Sequence, residues 1–92
     1  MMAGRRVWLY VCDEFRPVVV DRWGDYAELF RLVKPLVEEC VGEVLGVEVH
    51  GVCSGGGDVV VEYLVRYWRG EAWARVVFSE SPVGALRLCE GG

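Results

Sequence analysis

The sequence predicts an α+β domain in which a mostly antiparallel sheet of about five strands carries one main kinked helix on one face. Three observations lead there. Residues 6–12 alternate, placing Val7, Leu9 and Val11 on one side of a strand and Trp8 and Tyr10 on the other. Residues 26–44 repeat apolar side chains at three- and four-residue spacing, the mark of a helix with one wide apolar stripe. Residues 59–79 read as two strands folded back about Arg69-Gly70. Ninety-two residues suit one domain, 1–92, because so short a chain supports one core.

The elements follow in order. After the first strand, residues 13–17 make a polar turn, with Pro17 tolerated at the start of a second strand over 18–21. Asp25 followed by Glu28 has the spacing of a capping box, in which Asp25 accepts from an early helical amide and Glu28 reaches back. The helical stripe is Tyr26, Leu29, Phe30, Val33, Val37, Cys40, Val41 and Val44. Pro35 lacks an amide and crowds the carbonyl of Arg31, which predicts a kink or break near Lys34. Gly42 or Gly46 ends the helix, Gly46 being the better left-handed cap. Residues 47–53 read as a strand and 54–58 as a glycine-rich connection.

In the hairpin, an Arg69-Gly70 turn sets Tyr67 by Ala72, Val65 by Ala74, Tyr63 by Val76 and Val61 by Phe78 on a packed face. The reverse face carries Glu62 by Val77, Leu64 by Arg75, and Arg66 by Trp73 within cation–π reach. Ser81-Pro82 announces a helix, but residues 83–89 read equally as helix or strand.

Composition narrows function. There is no Asn, Gln, Thr or Ile, one His and three Ser, which leaves few neutral groups to orient a substrate, so no enzyme activity and no cofactor are expected. Nine Arg against one Lys, with the thermolabile amides missing, fits a hyperthermophile protein. A net charge of −4 disfavours nucleic acid as a partner. No apolar run approaches the roughly 20 residues a membrane span needs, and the apolar stretch after Arg6 is too short for a signal peptide, so the expected compartment is the cytoplasm.

Candidate sites are few. Cys12, Cys40, Cys53 and Cys89 include no Cys-x-x-Cys pair, and a straight strand would aim His50 and Cys53 to opposite faces, so no metal is expected. The cysteines are read as buried thiols, with a disulfide of unassigned pairing left open. The 54–58 segment leads into a strand and not a helix, which argues against a phosphate cradle. With one helix on one sheet face, Leu64, Arg66, Trp68, Trp73, Arg75 and Val77 form an interaction surface on the other. A homodimer or a larger protein subunit would cover it.

The chain ends Gly91-Gly92 after Ala85, Leu86, Arg87, Leu88, Cys89 and Glu90. Together with the hairpin-then-helix start, this resembles ubiquitin-like proteins of β-grasp fold, including the MoaD and ThiS sulfur carriers and the small archaeal modifiers. The resemblance implies that an ATP-dependent activating enzyme adenylates the Gly92 carboxylate, Gly91 keeping the approach slim, and that residues 85–92 form an apolar-basic strand and tail. The hairpin followed by Ala85-Leu86-Arg87 also resembles the small dimerising subunit of the KEOPS tRNA-modification complex, which implies a non-catalytic assembly role.

Overall fold

The computed structural model describes residues 5–90. Its elements are β1 (Arg5–Val11), β2 (Glu14–Val20), α1 (Tyr26–Val41), β3 (Val44–Gly55), β4 (Asp58–Tyr67), β5 (Gly70–Phe78) and α2 (Pro82–Ala85), which runs into a 3₁₀ turn, Leu86–Cys89. Its described residues form a small α+β domain with a five-stranded antiparallel sheet and two helices, of 16 and four residues. Strand order is β2-β1-β5-β4-β3. Since α1 leaves β2 at one edge and delivers the chain to β3 at the other, it must cross a face of the sheet. None of the described helices is long and apolar enough to cross a membrane.

The opening turn is tighter than the sequence suggests. Val11 pairs with Glu14, so only Cys12 and Asp13 lie between the strands, at φ 53° and 61°. Left-handed conformations at both central residues match the twist of a two-residue hairpin. Pro17 consequently sits inside β2, opposite Trp8. Its missing amide is tolerated because β2 is an edge strand.

The Asp25 Oδ1 accepts from the Glu28 amide at 2.8 Å, as the capping box requires. Glu28 turns its carboxylate toward Gly24, where it stands 2.6 Å from the position of a Cβ. Pro35 does not break α1, which is continuous from Tyr26 to Val41. The ring and Arg31 both lie on the exposed side, where water can meet the carbonyl that the ring deprives of a donor. The helix ends at Gly42, not Gly46: Gly42 takes φ 88° and donates to the Glu38 carbonyl, while the Glu38 carboxylate accepts from the Val44 amide at 3.0 Å and pulls the chain into β3.

Leu29, Phe30, Val33 and Val37 of α1 are buried against Val7, Leu9, Val61, Tyr63, Val65, Ala74 and Val76 of the sheet. Each such side chain contributes about 1.5–3 kcal/mol relative to exposure. Cys40 of the expected stripe is instead exposed. Tyr63 is the largest fully buried side chain, its ring 5.1 Å from that of Phe30. Its hydroxyl donates to the Tyr26 carbonyl at 2.6 Å, which satisfies the polar end of this buried side chain. Burial, reinforced by neighbouring Tyr26 and Asp25, pushes its ionisation well above the ordinary tyrosine range.

The C-terminal residues fold onto the opposite face. Val60 and Val77 are fully buried beneath Ala85, with Leu86, Leu88 and Trp8 packed around them. Of the helix and strand readings open for residues 83–89, the chain takes the helical one through Cys89, and not the strand that the β-grasp resemblance implies. Ser81 makes no side-chain cap, and its own amide donates to Ser79 Oγ at 2.9 Å.

Candidate functional site

The outer face of the β4–β5 hairpin is built from a register two residues away from the expected one. Tyr67 pairs with Gly70, so the turn is Trp68-Arg69, and Gly70 adopts φ 134°, a conformation costly for any other residue. A shift of two preserves which side chains share a face and changes which ones meet. The inner row keeps the expected residues but not the expected partners: Val65 meets Ala72, Tyr63 meets Ala74, Val61 meets Val76 and Val59 meets Phe78. On the outer row the cross-strand pairs are Arg66–Glu71, Leu64–Trp73 and Glu62–Arg75.

The expected Arg66–Trp73 pair is replaced. Arg75 Nε donates to Glu62 Oε2 at 2.9 Å, a half-buried ion pair. Arg66 extends across β3, its guanidinium 3.4 Å from where a Cβ on Gly46 would stand. Trp73, 45% exposed, is met edge-on by His50, with ring centroids 4.8 Å apart. Trp68 projects from the turn, 68% exposed, beneath the guanidinium of Arg69.

Val77 leaves the proposed surface altogether. The expectation assumed an uncovered outer face, and the C-terminal turns cover its far end, so Val77 is 0% exposed. What stays open is the near end: Leu64 half-buried at the centre, Trp73 beside it, and Arg66, Glu71, Glu62 and Arg75 around them. Gly91 and Gly92 lie outside the described residues.

All four cysteines are paired, Cys12 with Cys40 and Cys53 with Cys89, and the buried free thiols expected from the sequence are absent among the described residues. The first pair ties the β1–β2 turn to the end of α1. The second ties the 3₁₀ turn to β3. Cα separations of 6.5 and 5.4 Å fall within the range a disulfide spans.

The sequence misplaced one further feature. β3 carries irregularities at Leu45 and His50, so that Val49 faces Tyr63 on the inner side while Gly51 pairs with Glu62 on the outer. The extra residue at His50 shifts the alternation by one. His50 and Cys53 thus lie on the same outer face and not on opposite ones. Glycine next to each irregularity was the available signal.

One surface cleft among the described residues, lined by Arg5, Arg6, Trp8, Asp58, Phe78 and Glu80 among others, mixes charges of both signs. No protein-family model, curated protein or solved structure matches the chain.

Proposed function

We propose that this protein is a non-catalytic interaction module that pairs with a second copy of itself through the open end of its outer sheet face. The observation that carries the reading is the charge arrangement in three successive cross-strand pairs, Arg66–Glu71, Leu64–Trp73 and Glu62–Arg75. A two-fold axis laid along the Leu64–Trp73 pair places each of these two residues on its own equivalent. The same rotation sets Arg66 over the partner copy's Glu62 position and Glu71 over its Arg75 position. The patch is self-complementary, as a two-fold interface must be. An aromatic anchor at the centre with charges at the rim is the usual anatomy of such a contact.

Light scattering on the wild type and on Trp73→Glu tests this. The reading expects a dimer that the substitution converts to a monomer. A wild type that is monomeric at its highest soluble concentration overturns it, whether or not another protein binds the face.

A second reading draws on Gly91-Gly92 and the hairpin-then-helix order, which favour a β-grasp-type sulfur carrier or modifier activated at the Gly92 carboxylate by an ATP-dependent enzyme. The helical turns through Cys89 and its bond to Cys53 weigh against it, because a carrier needs those residues extended. Incubation with ATP and the host's activating enzyme should change the intact mass at Gly92. An unchanged mass removes this reading.

A further inference from the structure

We propose that reduction of the Cys53–Cys89 disulfide opens a site for one thiophilic divalent cation such as zinc, held by the two cysteine thiolates and the Glu62 carboxylate. This goes beyond self-association and does not depend on it.

Three elements converge to make the site. Cys53 on β3 lies opposite Val60 of β4, which brings Glu62, two residues along the same strand, to the same outer face. Cys89 reaches down from the 3₁₀ turn. The sulfurs of both cysteines and a carboxylate oxygen of Glu62 all lie within 4.8 Å of one another, and all three residues are half-buried.

Tetrahedral zinc with sulfur at about 2.3 Å holds its ligands about 3.8 Å apart. Freed from their bond, two side chains on Cα atoms 5.4 Å apart can open to that separation without backbone movement. Glu62 is already oriented. Arg75 Nε holds its Oε2 at 2.9 Å, leaving the second oxygen for a cation and fixing the carboxylate plane, the role an outer hydrogen bond plays at metal centres. Two thiolates and one carboxylate carry three negative charges, so a divalent ion and the Arg75 guanidinium together balance the site. Half-burial leaves the fourth position to water. Soft sulfur donors select zinc, cobalt or a similar ion over magnesium or calcium.

The chemistry balances with a named reductant. A cellular dithiol would transfer two hydrogens to the sulfurs and become a cyclic disulfide. In the test a water-soluble phosphine does this: the disulfide, the phosphine and one water give two thiols and the phosphine oxide. The incoming cation then displaces the two thiol protons.

Cobalt(II) is the probe, because thiolate coordination gives it a near-ultraviolet charge-transfer band. The phosphine-reduced wild type should bind one equivalent with that band, and added zinc should bleach it. The oxidised protein and Cys53→Ser should lack it. Glu62→Gln should keep a thiolate signal but weaken binding by more than about tenfold. If Cys53→Ser does not fold, the Cys12→Ser/Cys40→Ser double variant, which keeps only the proposed ligands, should bind as the wild type does. No band in reduced wild type, an undiminished band in Cys53→Ser, no band in the Cys12→Ser/Cys40→Ser variant, or wild-type affinity in Glu62→Gln overturns the site.

Discussion

Replacing Cys53 and Cys89 together by serine probes the attachment that closes the second layer. The bond joins residues 36 apart in sequence, and the loop-entropy relation gives about 3.8 kcal/mol at 25 °C for a closed loop of that size. The loss falls almost wholly on the unfolded chain, which becomes less compact without the cross-link, so it should appear as a lower midpoint in guanidinium with a steeper slope. A local effect accompanies it. The α2 and 3₁₀ turns shield Val60 and Val77, yet their hydrogen bonds to the rest of the fold are few, so without the bond they open more often. Arg87, exposed within the 3₁₀ turn, reports that opening as a trypsin site. The reasoning expects both a stability loss near 4 kcal/mol and faster cleavage after Arg87. A variant within about 1 kcal/mol of wild type, with cleavage unaltered, would refute the claim that the disulfide holds this layer in place.

Other substitutions test separate joints of the fold. Asp25→Ala removes the cap on the Glu28 amide and should cost about 1 kcal/mol in thermal or denaturant unfolding. Tyr63→Phe deletes the bond to the Tyr26 carbonyl and should cost about 1–2 kcal/mol. The same residue sets an alkaline limit. Its ionisation is raised in the folded state above the ordinary 10.0, so the stabilisation is fully present below pH 10 and is lost as pH rises further. The unfolded chain gives up a proton that folded Tyr63 keeps, a slope of about 1.4 kcal/mol per pH unit. Unfolding free energies measured above pH 10 should fall less steeply in Tyr63→Phe than in wild type. Cys12→Ser/Cys40→Ser should cost about 3.6 kcal/mol by the same loop argument, for a separation of 28. Fluorescence-detected unfolding measures it.

Much of the architecture was legible from periodicity. Alternation in residues 59–79 assigned Val61, Tyr63, Val65, Ala74 and Val76 to the buried face correctly, because a face depends only on parity. Which residues meet across the strands depends on the turn, and Arg69-Gly70 resembles a two-residue turn closely enough to conceal that Gly70 begins the next strand. The extra residue at His50 was hidden for a related reason: counting along an unbroken strand cannot register a shift of phase, although Gly51 beside it was a cue. Helix limits followed local chemistry at Asp25 but not at the far end, where the Glu38 carboxylate and the Val44 amide, six residues apart, decide the exit. The burial of Val77 could not be read at all. It depends on the turns after Ser79 being brought down by a cysteine on β3, and four cysteines permit three pairings that sequence does not distinguish.

The self-pairing surface is tested most directly by mixing two opposite charge reversals, Arg66→Glu and Glu62→Arg, after circular dichroism has shown each to be folded. In like pairs, position 66 of one copy would meet a matching charge at position 62 of the other, twice over. In mixed pairs, both contacts become attractive. The account predicts that each variant alone scatters light as a 10.3 kDa monomer and that an equal mixture doubles that mass. Variants that dimerise alone as well as wild type does, or a mixture that stays monomeric, would contradict it.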